Sequence, residues 1–247
     1  MKVEVGYNIY LPPGFTNSEA RYPVIYYLHG FDGHESSYLE YGELLDAAIR
    51  RKQVPAMALV FVNGGSQSYF CDAADGSVMG ETVVRELVAE VDRTWRTVAS
   101  REGRSVHGFS MGGFGALKMA FKYPDLFGSV VAQGAVLPTA AEVAKKQPKV
   151  FAAVFGGSAE KFSENDPLAL VRGNAEKIRG RVAIRIDLGV KDELVPLNRR
   201  LDALLGELKI PHEYFELPGV THAKDSIYGA AATAGFAFSA KGFGEKR

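Results

Sequence analysis

The 247 residues carry 29 Lys plus Arg against 29 Asp plus Glu, a balance that argues against a nucleic-acid or anionic-membrane partner. One cysteine, Cys71, excludes an internal disulfide and a cysteine-rich zinc site. No apolar run approaches the roughly 18 residues of a membrane span, and the start of the chain lacks the apolar core of a signal peptide. The expectation is one cytoplasmic domain over residues 1–247, large enough to bury its own core; a secreted mature chain without its leader reads the same way.

Residues 3–11 alternate and are rich in β-formers, then stop at Pro12-Pro13-Gly14, which predicts a strand and a turn. Residues 22–30 and 56–62 are nearly continuous apolar runs, the mark of strands buried on both faces of a parallel sheet. A helix is expected over 39–52 and a long loop over 63–80. Apolar residues at helical spacing (Val84, Leu87, Val88, Val91, Trp95) predict an amphipathic helix over 81–98 with Trp95 in the core.

Further strands are expected at 104–109, 128–133, 181–188 and 212–217, with helices at 114–122, 194–208 and 226–240. Between 134 and 180 the pattern weakens. Helical pieces at 140–146 and 166–172 are broken by Pro148 and Gly156-Gly157, which reads as a lid-like insertion over the sheet. Strands alternating with helices predict a doubly wound α/β sheet whose site lies at the strand carboxyl ends.

The stretch Gly108-Phe109-Ser110-Met111-Gly112 has the form G-x-S-x-G between a predicted strand and a predicted helix. A serine on so sharp a turn holds a strained backbone, and side chains two residues to either side would collide, so glycine is required there. The turn lifts the Ser110 hydroxyl clear of the sheet and leaves unpaired N–H groups behind it that can face a developing oxyanion.

A serine hydroxyl needs a base to act as a nucleophile. His212 and His222 are the two histidines after Ser110. His212 opens a strand beside Pro211, whereas His222 lies in the loop leaving the last strand, on the edge of the sheet that carries Ser110. His222 is therefore the expected base. Asp192 follows the strand that ends near Gly189 and is the expected acid, with Glu193 pointing away and Asp187 still inside the strand.

The oxyanion donors are expected to be the backbone N–H groups of Met111 and Phe31. His29, Gly30, Tyr69, Phe70 and Cys71 are candidate pocket residues. For His29 a buried structural hydrogen bond is the stronger reading than a second base. Tyr69 and Phe70 suit stacking on an aromatic acyl group and anchoring of the loop equally well, and Cys71 reads more readily as incidental. Asp72 and Asp75 lack companions at metal-ligand spacing, so no metal and no cofactor is expected.

Ile9-Tyr10-Leu11-Pro12-Pro13-Gly14, the run from Tyr22 to Gly30, Gly108-Phe109-Ser110-Met111-Gly112-Gly113, and Gly189 with Asp192 together resemble the esterase D / feruloyl esterase group (carbohydrate esterase family 1) of α/β-hydrolases. S-formylglutathione hydrolases and mycolyltransferases also belong to that group. The resemblance covers nearly the whole chain. It implies an α/β-hydrolase fold and a serine esterase with Ser110, Asp192 and His222 as triad and Phe31 and Met111 as oxyanion donors. The loop 66–77 looks more like the feruloyl and acetyl-xylan esterase branch.

At the last element this chain has Gly219-Val220-Thr221-His222-Ala223 where many relatives carry Gly-Gly-His-Asp, which leaves the pocket wall there open. The expected partner is a small-molecule or carbohydrate-linked ester. An acyltransferase or an S-formylglutathione hydrolase-like thioesterase would use the same triad, and an alternative of another class is a non-catalytic α/β-hydrolase binding scaffold. Acyl and alcohol specificity and oligomeric state are not legible in the sequence.

Overall fold

The apolar runs form the middle of a seven-stranded sheet. In the computed structural model, which describes residues 5–244, the strands are β1 (Tyr7–Tyr10), β2 (Val24–Leu28), β3 (Ala58–Val62), β4 (Arg104–Phe109), β5 (Ser129–Gln133), β6 (Ala183–Gly189) and β7 (Glu213–Leu217). Their spatial order is β1-β3-β2-β4-β5-β6-β7. β1 pairs antiparallel with β3, and every later pairing is parallel. Val3 and Glu4 of the predicted first strand lie outside the described residues.

The helices are α1 (Glu40–Arg50), α2 (Gly80–Thr94), α3 (Met111–Lys122), α4 (Ala140–Lys146), α5 (Pro148–Phe155), α6 (Ala159–Ser163), α7 (Pro167–Gly173), α8 (Ala175–Ile178), α9 (Val195–Glu207) and α10 (Lys224–Gly242). Because strand side chains alternate, each strand feeds two cores. Val24, Tyr26 and Leu28 of β2 join α2, α3, α9 and the insertion in the larger one. Ile25 and Tyr27 join α1 and α10 in the smaller one. This is the α/β-hydrolase fold.

The smaller core is polar at its centre. His107 of β4 is fully buried and bonded to Tyr41 Oη through Nδ1 (3.0 Å) and to Ser239 Oγ through Nε2 (2.7 Å). Burial, reinforced by the charge of Arg185, pushes the imidazole down to about 3, so it stays neutral. On the neighbouring rung, Asp187 is raised by burial to about 6 despite its bond from Arg185 Nε (2.9 Å).

Two regions depart from the sequence expectation. Residues 134–180 hold five short helices rather than two pieces, and Pro148 begins α5 instead of breaking a helix. At a first helical position proline's missing N–H removes no bond. Thr139 and Glu142 close a capping box that starts α4. Trp95 packs against the larger core as expected, but lies just past the end of α2 in extended backbone instead of in a helix reaching Val98. It is half-buried, and its indole N–H donates to Tyr7 Oη (3.2 Å).

Lys118 is the unusual residue of α3, a fully buried cation. Its Nζ donates to the Phe70 carbonyl (2.6 Å) and pairs with Glu81 Oε2 (2.6 Å), tying the loop after β3 and the start of α2 to the helix behind Ser110. Lys122 reaches the same carboxylate at 2.9 Å, and Tyr123 donates its hydroxyl to Glu81 Oε1. Burial alone would raise the Glu81 pKa, but these partners bring it down to about 2.

Lys118→Ala leaves a buried carboxylate short of its main partner and should cost about 3–5 kcal/mol in denaturant unfolding. Because Glu81 titrates lower in the folded chain than the roughly 4.3 of an unfolded glutamate, its contribution is present above that pH. It should be lost as the pH falls toward 2. Melting temperatures from pH 6 to 2.5 should therefore fall less steeply for Glu81→Gln than for the wild type; parallel curves would contradict the assignment.

Candidate active site

The turn between β4 and α3 places Ser110 at φ 57°, ψ −116°, outside the usual regions for a side-chain-bearing residue. Steric contact explains both glycines of the motif. A Cβ on Gly108 would sit 2.1 Å from the Gly112 carbonyl oxygen, and one on Gly112 would sit 1.9 Å from that of Leu28. Neither clash can be relieved by a rotamer change, because both opposing groups are backbone. The same closeness presses the start of α3 against the end of β2, bringing Met111 beside the loop that holds His29, Gly30 and Phe31.

The loop after β6 carries Asp192, whose side chain is fully buried and whose Oδ1 accepts the Leu194 N–H (2.8 Å) ahead of α9. The loop after β7 carries His222. Its Nδ1–H donates to Asp192 Oδ2 (2.7 Å), and its Nε2 lies 3.0 Å from Ser110 Oγ. With the proton on Nδ1 held by the carboxylate, Nε2 is left as the acceptor for the serine hydroxyl. Phe109 stacks on the imidazole, ring centroids 5.0 Å apart and planes 24° from parallel, so the ring is held from one side as well as through both nitrogens.

Among the described residues, the N–H groups of Phe31 and Met111 have no partner in the chain. The Gly30–Phe31 peptide is oriented from its carbonyl side, where Gly30 O accepts from His29 Nδ1 (2.8 Å) and from the Gly33 N–H (3.1 Å). In a trans peptide the N–H points opposite to the C=O, so the Phe31 N–H is turned away from His29. His29 itself is buried, and desolvation lowers its pKa. It acts as a neutral hydrogen-bonder, as its sequence context suggested.

The family described as "Putative esterase" has a sequence model that matches residues 1–239. The chain belongs to this esterase family. Esterase Rv1288 of Mycobacterium tuberculosis (strain ATCC 25618 / H37Rv) is 34% identical over 129 residues, which is 50% of this chain and 27% of that protein. The endo-1,4-beta-xylanase/feruloyl esterase of Xylanibacter ruminicola is 26% identical over 166 residues, 62% of this chain and 22% of that protein. The chain thus spans about a quarter of the length of these curated relatives. A solved ferulic acid esterase superposes with TM-score 0.81 at 22% identity, covering 96% of this chain and 92% of that one. The S-formylglutathione hydrolase FrmB of Staphylococcus aureus does so with 0.78 at 22% identity, covering 95% and 92%. Both likenesses concern the fold.

In this esterase-family chain the remaining candidates fall in distinct places. Tyr69 and Phe70 are buried, both at φ 53°. Phe70 packs over Gly115 and against His29 (centroids 5.0 Å). Cys71 is buried and its thiol donates to the Tyr69 carbonyl (3.4 Å), while burial pushes its pKa up, so it stays a thiol. His212 bonds Asp202 Oδ1 (2.8 Å) and the Ile210 carbonyl (2.9 Å), and Glu193 is exposed. Among the described residues no three His, Cys, Asp or Glu side chains converge as metal ligands.

Gly134 is a site residue that sequence reasoning did not single out. It follows β5 at φ +53°, and a Cβ there would lie 3.2 Å from both Asp192 Oδ2 and His222 Nδ1. Its signal was the glycine directly after a strand adjoining β4. Gly134→Ala should both strain the backbone and press on the Asp192–His222 pair. The expected result is a labelling rate of Ser110 by a fluorophosphonate reduced about tenfold, since small misplacements of catalytic groups cost that much. A variant with wild-type labelling would reject this packing role.

Proposed function

We propose that the chain is a serine carboxylesterase that works through an acyl-serine intermediate. One observation carries the reading: Asp192, His222 and Ser110, from three separate loops at one edge of the sheet, are joined in series by bonds of 2.7 and 3.0 Å.

In this mechanism Ser110 Oγ attacks the ester carbonyl carbon while its proton passes to His222 Nε2. Asp192 keeps its charge, holds the imidazole tautomer and stabilises the imidazolium. The carbonyl oxygen, now an oxyanion, accepts hydrogen bonds from the N–H groups of Phe31 and Met111. Collapse of the tetrahedral species breaks the bond to the alcohol oxygen, which takes the proton from His222. Water then attacks the acyl-serine with His222 again as base, and the acid leaves with Ser110 restored.

The substrate class that fits is an ester of the feruloyl or acetyl kind, small or carried on a carbohydrate. The motif resemblance and the feruloyl esterase named among the relatives both favour it.

The deciding experiment compares wild type and Ser110→Ala on p-nitrophenyl acetate, methyl ferulate, acetylated xylan and S-formylglutathione. Ser110→Ala should lose turnover by about a thousandfold or more while melting at the wild-type temperature. Retained turnover in Ser110→Ala would overturn the mechanism. A wild type acting on S-formylglutathione in preference to both oxygen-ester classes would overturn the substrate assignment.

A further inference from the structure

We infer that Tyr69 sets the acyl-chain length at this site, closing its acyl side so that only acetyl-sized groups are accepted. The inference rests on the serine esterase reading above and narrows it from feruloyl or acetyl to short acyl groups.

The geometry first fixes which half of an ester lies where. His222 must protonate the departing alcohol oxygen, so the alcohol leaves on the His222 side. That side belongs to the smaller core, with Phe109 stacked on the imidazole and Tyr228 behind it. The oxyanion is directed at Phe31 and Met111. The direction left for the acyl substituent runs over the start of α3 toward the larger core, to which Tyr69, Phe114 and Phe155 belong.

Tyr69 closes that direction. Its backbone N–H donates to Met111 Sδ (3.4 Å), and its ring stands edge-on to Phe31 (centroids 6.4 Å) and Phe114 (5.1 Å). The ring also tilts against Phe155 (6.0 Å), and the phenol donates to Gln147 Oε1 (3.0 Å) between α4 and α5. Tyr69 therefore meets Met111 through its backbone N–H, and meets Phe31, the helix behind the nucleophile and the insertion through its side chain. Only 2% of it is exposed, so its ring occupies the volume that an aromatic acyl group would need.

The wall is held in place. Tyr69 and Phe70 are consecutive left-handed residues, a conformation that side-chain-bearing residues keep only when their surroundings over-determine it. Three contacts do so: Lys118 Nζ on the Phe70 carbonyl (2.6 Å), the Phe70 N–H on Ser68 Oγ (2.9 Å), and the Phe70 ring packed on Gly115, where a Cβ would lie 2.6 Å away. Removing the Tyr69 ring would uncover an apolar recess lined by Phe31, Phe114 and Phe155.

The test measures kcat/KM on p-nitrophenyl acetate, butyrate and hexanoate, whose leaving group is constant. The wild type should lose about tenfold or more from acetate to hexanoate. Tyr69→Ala should raise the hexanoate-to-acetate ratio by about tenfold or more, through KM, and Tyr69→Phe should keep the wild-type ratio. If Tyr69→Ala fails to fold, Tyr69→Leu should show the same shift on butyrate.

An unmoved ratio in the folded variant, or a wild type that prefers hexanoate or methyl ferulate, would overturn the inference. Fluorophosphonate labelling of Ser110 separates the two levels. A wild type neither labelled nor active removes the serine mechanism and this inference with it. A labelled, active wild type with an unmoved ratio removes only the role of Tyr69.

Discussion

The contact on which the site depends is the approach of Gly112 to the backbone at the end of β2, where no side chain fits between helix and strand. It fixes three things together. The turn at Ser110 is forced into its strained conformation, the Met111 N–H is left free at the start of α3, and the loop bearing Phe31 is brought alongside. A larger gap would keep the fold and separate Ser110 from the N–H groups of Met111 and Phe31. The placement of Ser110 therefore comes from backbone against backbone, which is stiffer than any contact between flexible side chains.

The two faces of the sheet divide the remaining work. The larger core is mostly apolar and supports α3, and Lys118 with Glu81 places a buried ion pair against that helix. That pair anchors the turn at Tyr69 and Phe70 to α3, so a buried charge serves position more than stability. The smaller core carries a polar centre around His107 and Asp187, and its upper edge supplies Phe109 to the His222 imidazole.

Much of this was legible in the sequence because the signals were local. Nearly continuous apolar runs marked β2 and β3, and the glycines around Ser110 stated a steric requirement that the turn between β4 and α3 displays. The placement of His222 and Asp192 followed from their position after strands, since a parallel sheet sends every strand end to one edge. What stayed hidden depends on contacts between distant segments. The burial of Tyr69 arises from Phe31, Phe114 and Phe155, three elements with no common sequence pattern. Pro148 reads equally as a helix breaker and a helix starter until the preceding turn is known. Trp95 matched helical spacing, but Thr94 ends the helix one residue sooner, and tertiary contact with Tyr7 decides its setting.

His222 lies two residues before α10, and that helix is moored at both ends to the smaller core. Near its start Lys224 pairs with Glu40 and Tyr228 meets the Tyr27 hydroxyl; near its far end Ser239 bonds both His107 and Ser105. His222 thus sits beside α10, while Ser110 follows the central strand β4 and Asp192 follows β6, next to the edge strand β7. Fraying of the last helix would carry the imidazole away from an otherwise intact sheet. The link between His222 and Ser110 can in this way be lost with one peripheral segment, well before the bulk of the architecture melts.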